Sequence, residues 1–206
     1  MVIIVFISML IYGIIHSIAA GRFKTVFRMQ FGERAYEGLY RLLYNIFAVI
    51  SLAPVSYLFT FHPGNIVWEI NLQYEPILLI IQAIGLIGSA ISLFQIDLGY
   101  FLGVTQFINY IRNKGENQAE EEQMQRGGLY AFVRHPLYLF SILAIWPVTT
   151  MTEAYLGFCL GVTAYFVIGS LYEERRLAEK FGEQYRLYQQ NVPWLIPFLR
   201  INLNKD

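Results

Sequence analysis

The chain has 206 residues, of which 56% are hydrophobic and only 15% charged, with a mean hydropathy of +0.44. Its fifteen basic and fifteen acidic side chains cancel to a formal net charge of zero. This composition excludes an ordinary soluble domain, in which about a quarter of the residues are charged, and leaves no basic surplus for nucleic acid.

Residues 1–20 are almost wholly apolar and match the roughly 20 residues needed to cross a bilayer core. They form the first predicted span, and without a charged n-region or cleavage site they are expected to be retained. His16 and Ser17 lie near its end, where the ring is either a hydrogen-bonded packing group or a catalytic one. Residues 21–41 then turn basic, with Arg22, Lys24, Arg28, Arg34 and Arg41 against Glu33 and Glu37, and are expected as a loop at a headgroup surface. The second span, 42–61, is entered through the interfacial aromatics Tyr40 and Tyr44, and Pro54 should kink it.

Residues 62–75 contain the Pro63-Gly64 turn signal and Trp68 as an interface anchor, but no Lys or Arg. The third span covers 76–94, where Gly85, Gly88, Ser89 and Ala90 offer a small-residue face for close helix packing. Residues 95–107 are less apolar and carry Asp97, Gly99, Gly103 and Gln106, which fit either a bent helix end or a substrate contact. The polar segment 112–126, with Glu120 to Glu122 in a row, reads as a solvated loop or short surface helix. Spans four and five, 136–150 and 154–171, are separated only by residues around Met151 to Glu153, so they should form a tight antiparallel hairpin. The lone cysteine, Cys159, falls inside the fifth span and reads as a small buried hydrophobe. Beyond Tyr172, apolar Leu177, Phe181, Tyr185 and Tyr188 recur every three or four residues, which predicts an amphipathic surface helix over 173–190. Pro193 and Pro197 close it.

The expected fold is therefore all-α: one integral membrane domain over 1–206 with five transmembrane helices and a C-terminal surface helix. Charge supports that count independently. With the N-terminus outside and the C-terminus cytoplasmic, all fifteen Lys and Arg residues fall inside, and the outer segments hold only Glu69, Glu75 and Glu153.

Two charged sets then share the cytoplasmic face. Arg134 and His135 precede Pro136, which suits the first turn of a helix and pushes His135 into an extended conformation. Glu173 and Glu174 follow the fifth span. Together they suit a zwitterionic ligand, its anionic part at Arg134 and the helix start and its hydroxyls or ammonium at the glutamates, with Tyr130, Tyr138 and Tyr172 flanking a cationic centre. A plain alternative makes Arg134 a membrane anchor and Glu173 with Arg176 a surface ion pair. Three scattered histidines and one buried cysteine give no metal-ligand cluster, and there is no nucleophile elbow or phosphate-binding loop.

The run Gly128, Tyr130, Arg134-His135-Pro136 and Tyr138, then Glu173-Glu174 with Leu177, then Phe181-Gly182 with Tyr185 and Tyr188, then Val192-Pro193, resembles the C-terminal half of the isoprenylcysteine carboxyl methyltransferase and phospholipid N-methyltransferase superfamily. The resemblance covers residues 127–197. His16-Ser17, and Tyr40-Arg41 with Tyr44-Asn45, resemble the methanethiol S-methyltransferase group and the related denitrification-associated membrane proteins. The resemblance implies an S-adenosylmethionine-dependent methyltransferase, with Tyr130, Arg134, His135, Pro136, Tyr138, Glu173 and Glu174 as cofactor contacts and Arg134 and Glu173 as catalytic groups. A small thiol or other lipophilic acceptor would enter from the membrane lipid, with His16, Asp97 and Gln106 as candidates to shape its side. Methyl transfer from a sulfonium needs alignment and a competent nucleophile more than it needs a metal. Two other readings compete: a sterol-reductase-like membrane reductase binding a nicotinamide dinucleotide, and a non-enzymatic accessory protein of a membrane complex.

Overall fold

The structure is a computed structural model that describes residues 1–112 and 124–198. The acidic run Glu120 to Glu122 lies outside the described residues with most of its polar segment, as do Arg200 and Lys205.

Nine helices are assigned among the described residues: α1 (Val2–Ile18), α2 (Lys24–Ser51), α3 (Ala53–Phe61), α4 (Glu75–Phe94), α5 (Leu98–Leu102), α6 (Val104–Ile111), α7 (Pro136–Ile145), α8 (Glu153–Phe181) and α9 (Glu183–Asn191). Two short strands, β1 (Ile66–Glu69) and β2 (Thr150–Thr152), pair antiparallel. The stretches Val2–Phe61, Leu72–Phe94 and Glu153–Phe181 are long and apolar enough to cross a membrane, and Pro136–Ile145 is a shorter apolar helix. Large apolar side chains such as Ile3, Ile80, Leu86 and Ile168 stand exposed on these helices, where lipid rather than water must cover them. The chain is a helical integral membrane protein.

The basic stretch 21–41 is helical rather than a loop. A π-helical turn, Ala19–Phe23, carries α1 directly towards α2, and the chain reverses inside α2 at Gly32, whose φ of 80° favours a residue without a Cβ. The rest of α2 returns along α1, tied by hydrogen bonds from Tyr12 Oη to Ala48 O at 3.3 Å and between Tyr44 Oη and His16 Nδ1 at 2.9 Å. Near Pro54, where a kink is expected, the helix is interrupted: α2 stops at Ser51 and Pro54 sits in the first turn of α3.

Two expected boundaries are corrected. The helix begun at Pro136 ends at Ile145 instead of 150, because Pro147 has no N–H to continue it; Thr150 to Thr152 then pair with Ile66 to Glu69. The predicted surface helix over 173–190 does not begin after the fifth span. α8 runs straight through the glutamate pair to Phe181, and the break comes at Gly182, with φ 56°, so Leu177 and Phe181 belong to α8 and Tyr185 and Tyr188 to α9. Glu173 to Lys180 contains good helix formers and nothing that would stop a helix.

α1 lies parallel to α8: Gly157 meets Val2, Gly161 meets Met9 and Gly13 meets Tyr165. α4 lies antiparallel to α7, with Gly85 against Ala144, Gly88 against Phe140, and Ser89 Oγ 3.4 Å from Ser141 Oγ. α7 packs chiefly on α4 and α8 chiefly on α1. α7 and its C-cap meet α8 through Tyr155 Oη donating to Ile145 O at 2.8 Å and Trp146 Nε1 donating to Thr163 Oγ1 at 3.0 Å. Cys159 is buried at that contact. The small-residue face thus includes Gly85, Gly88 and Ser89, while Ala90 points outward.

A Cβ at Gly88 would lie 2.3 Å from the Phe140 ring. Gly88→Leu is therefore expected to force α4 off α7 and to destabilise the protein by about 1–3 kcal/mol, read as a lower melting temperature in detergent; Leu86→Ala, at an exposed position on the same helix, should change it far less.

Candidate active site

The site is built where α7 begins, α8 carries its glutamates and α9 folds back. Pro136 opens α7, and its predecessor His135 adopts φ −122° and ψ 64° as the N-cap. That ψ is short of the extended conformation expected before a proline, and the approach lies against the segment after α9: Arg134 N donates to Pro193 O at 2.9 Å and Trp194 O at 3.1 Å, and His135 N to Trp194 O at 3.3 Å. The Arg134 side chain is only 2% exposed and turns towards the same segment. Its Nη1 donates to Gln189 O and Val192 O, at 2.9 and 2.8 Å, so a cation caps the negative end of α9.

Glu174 is the partner of that cation. Its Oε1 accepts from Arg134 Nε at 2.9 Å, Tyr185 Oη at 2.8 Å and the His135 ring at 2.7 Å, while Oε2 accepts from Gln189 Nε2 at 2.6 Å. A carboxylate with this many donors is held ionised in a buried place. α8, α9 and the chain before α7 are thereby fastened around one buried ion pair.

Glu173 faces a different direction. Its side chain is 34% exposed, and its Oε2 accepts from Tyr138 Oη at 3.0 Å and lies 3.5 Å from His135 Nδ1. Oε1 carries no hydrogen bond among the described residues. The Tyr138 ring stacks on His135, centroids 5.4 Å apart at 2°, and on Phe166 at 4.8 Å and 13°. Tyr188 Oη donates to Tyr130 O at 2.5 Å, and burial followed by the charge of Glu173 pushes the Tyr130 phenol up to about 12.

His135 thus bridges the two glutamates through its two ring nitrogens. Burial alone would push its pKa down, but hydrogen bonds to Glu173 and Glu174 and their charges outweigh it and hold the ring above its ordinary value. A raised folded-state pKa stabilises the protein fully below about 6.5, the ordinary histidine value, and that stabilisation is lost as pH rises through the folded value. Wild type should accordingly lose melting temperature across this alkaline window more steeply than His135→Gln, which has no proton to release.

Comparison with known proteins gives the family of the chain. A profile of the family described as phospholipid methyltransferase matches residues 78–184, a little over half the chain. The chain is 33% identical over 201 residues to "Methanethiol S-methyltransferase 1" of Bradyrhizobium diazoefficiens, covering 97% of this chain and 68% of that protein. The chain belongs to the phospholipid methyltransferase family. It is also 37% identical over 141 residues to "Methanethiol S-methyltransferase" of Pseudomonas deceptionensis, with 63% of this chain and 54% of that protein aligned. "Protein-S-isoprenylcysteine O-methyltransferase B" of Arabidopsis thaliana is 34% identical over 85 residues, 39% of this chain and 42% of that protein. No solved structure matches.

Within this family member, the cofactor candidates Tyr130, Arg134, His135, Pro136, Tyr138, Glu173 and Glu174 come together at one end of the bundle. Tyr172, expected beside them, is 69% exposed. The three acceptor-side candidates do not come together. Asp97 Oδ1 accepts from Tyr100 N at 2.8 Å and caps α5, and Gln106 Nε2 donates to Tyr100 O at 3.0 Å; His16 sits apart among tyrosines of α1, α2 and α8. Gln189 escaped the sequence reading altogether. Its position four residues after Tyr185, on the same face of α9, was the available signal.

Proposed function

We propose that this chain transfers a methyl group from S-adenosylmethionine to a small thiol, or to another lipophilic acceptor, at the cytoplasmic end of a five-span bundle whose N-terminus lies outside. The thiol comes from the printed names of the Bradyrhizobium and Pseudomonas relatives. The five spans rest on dividing Val2–Phe61 at the Gly32 reversal and counting α7 as a short crossing, with its contacts to α8 forming an antiparallel pair. The orientation rests on positive charge: Arg134 shares its end of the bundle with the basic stretch of α2, whereas the β1–β2 end carries Glu69 and Glu153.

The observation that carries the proposal is the half-open Glu173 carboxylate beside an aromatic stack. S-adenosylmethionine has a sulfonium, an ammonium and ribose hydroxyls, and a carboxylate oxygen without a donor next to the Tyr138, His135 and Tyr130 rings fits such groups. The bound donor would supply an electrophilic methyl group. Glu173, Tyr138, Tyr130 and the Pro136 end of α7 would hold and orient it, while Arg134, His135 and Glu174 keep that surface in place by fastening α9.

Calorimetric titration of the purified protein with S-adenosylmethionine and with its demethylated product tests the proposal. Binding of both is expected. A folded protein that binds neither would remove the methyltransferase reading and favour an accessory role.

A further inference from the structure

A second polar cluster lies deeper in the bundle. His16 on α1 has two phenol oxygens on one ring nitrogen: Tyr44 Oη of α2 at 2.9 Å and Tyr165 Oη of α8 at 2.7 Å, both from Nδ1. The Tyr44 ring lies 4.7 Å from the imidazole, and Tyr12 stacks on it at 5.7 Å and 30°. Three helices thus contribute a tyrosine each around one histidine. A rare π-helical turn begins three residues later at Ala19, whose carbonyl accepts from Tyr40 Oη; such turns are frequent at functional sites.

We propose that His16 accepts the proton of the thiol substrate, through Nε2, and so generates the thiolate that is methylated. The inference rests on the thiol reading above and adds the group that makes the thiol reactive. One lone pair serves one donor well, whereas an N–H can be shared between two oxygens, so two phenol oxygens at Nδ1 favour the tautomer with the proton there. Nε2 then carries the lone pair, and it has no hydrogen bond among the described residues. An ionisable side chain inside a membrane bundle also calls for a reason beyond packing, since polar groups there are costly.

The cage offsets part of the cost of a buried charge. A simple alkyl thiol is less acidic than an imidazolium by more than the roughly two pKa units that separate cysteine from histidine, so the transfer needs help. When the S–H proton moves to Nε2, the bonding electron pair stays on sulfur, and a thiolate faces an imidazolium with no change in net charge. The Tyr44 and Tyr165 oxygens accept from Nδ1–H, and the faces of Tyr12 and Tyr44 stabilise the cation. Donor chemistry and this base are physically linked. Tyr165 is followed by Phe166, which stacks on Tyr138, whose hydroxyl bonds to Glu173; along α8, eight residues, or about 12 Å, separate Tyr165 from Glu173. His16 is half-buried rather than sealed inside the bundle.

The test uses the full chain in nanodiscs, with His16→Gln and Tyr165→Phe, both checked by melting. Without methyl donor, trifluoroethanethiol, an alkyl thiol close in acidity to an imidazolium, added to wild type below the pH at which it ionises in water should develop the ultraviolet band of a thiolate; His16→Gln should not. With S-adenosylmethionine, His16→Gln should lose about 100-fold or more in kcat/KM for ethanethiol, the range of a general base, yet lose much less with thiophenol, which is already ionised. Tyr165→Phe should lose less than His16→Gln on both readouts. An unchanged thiolate band in His16→Gln, or an equal loss for both thiols, would overturn the proposal and leave His16 a packing residue. Absence of donor binding by wild type would instead overturn the methyltransferase reading, and the donor-free band would still decide the fate of His16.

Discussion

Arg134→Ala is expected to lower folding stability by about 3–5 kcal/mol, because it leaves a buried carboxylate without its cation. The side chains of Arg134 and Glu174 are only 2% and 4% exposed. The loss reaches beyond the pair, since Nη1 also caps α9 at Gln189 O and Val192 O. Opening should therefore begin at α9, and trypsin should cut after Arg186 before the helices of the bundle melt. Glu174→Ala should cost a similar amount, and the double variant should cost less than the sum of the two, because each single change already breaks the same contact. Arg134→Lys is expected to fall between, for a lysine cannot reach Glu174 and the α9 carbonyls at once with a planar fork. A cost below about 1 kcal/mol is what an exposed ion pair gives, and that result would refute the view that this cluster holds α9 in place.

Much of this arrangement was legible in the chain, and the reasons differ from residue to residue. Pro136 announces the start of α7, and the apolar runs announce the membrane helices, because both signals are local. The pairing of His135 with the glutamates follows from the short connection between α7 and α8. What the sequence reading missed depends on contacts between distant segments. Nothing near Arg134 says that its guanidinium turns to the end of α9, 55 residues away, nor that β2 pairs with β1 and shortens the fourth helix. The helix break was misplaced for a different reason: a change from apolar to charged residues at Glu173 marks where membrane ends, whereas only Gly182 ends the helix. For His16 the residue was singled out, but its tyrosine cage draws on α2 and α8 and exists only once those helices pack.

Glu173→Gln should give the opposite outcome to Arg134→Ala: an intact fold and a weakened grip on the methyl donor. Adjacent residues on a helix point about 100° apart, so Glu174 enters the cluster with α9 while Glu173 faces Tyr138 and solvent. Glutamine keeps an oxygen for the Tyr138 hydroxyl and keeps the shape, but removes the charge. A hydrogen bond to a charged group is worth about 1.5–3 kcal/mol, so affinity for S-adenosylmethionine should fall about 10- to 100-fold, with a smaller drop in melting temperature than Arg134→Ala gives, from the weakened contact with His135. Titration with the demethylated product then locates the carboxylate on the ligand. The two ligands differ at sulfur, which is cationic in one and neutral in the other, but share the ammonium and the ribose hydroxyls. An equal loss for both places Glu173 at a shared group; a loss confined to S-adenosylmethionine places it beside the sulfonium, near the methyl that is transferred. Unchanged binding of both would remove Glu173 from the donor site.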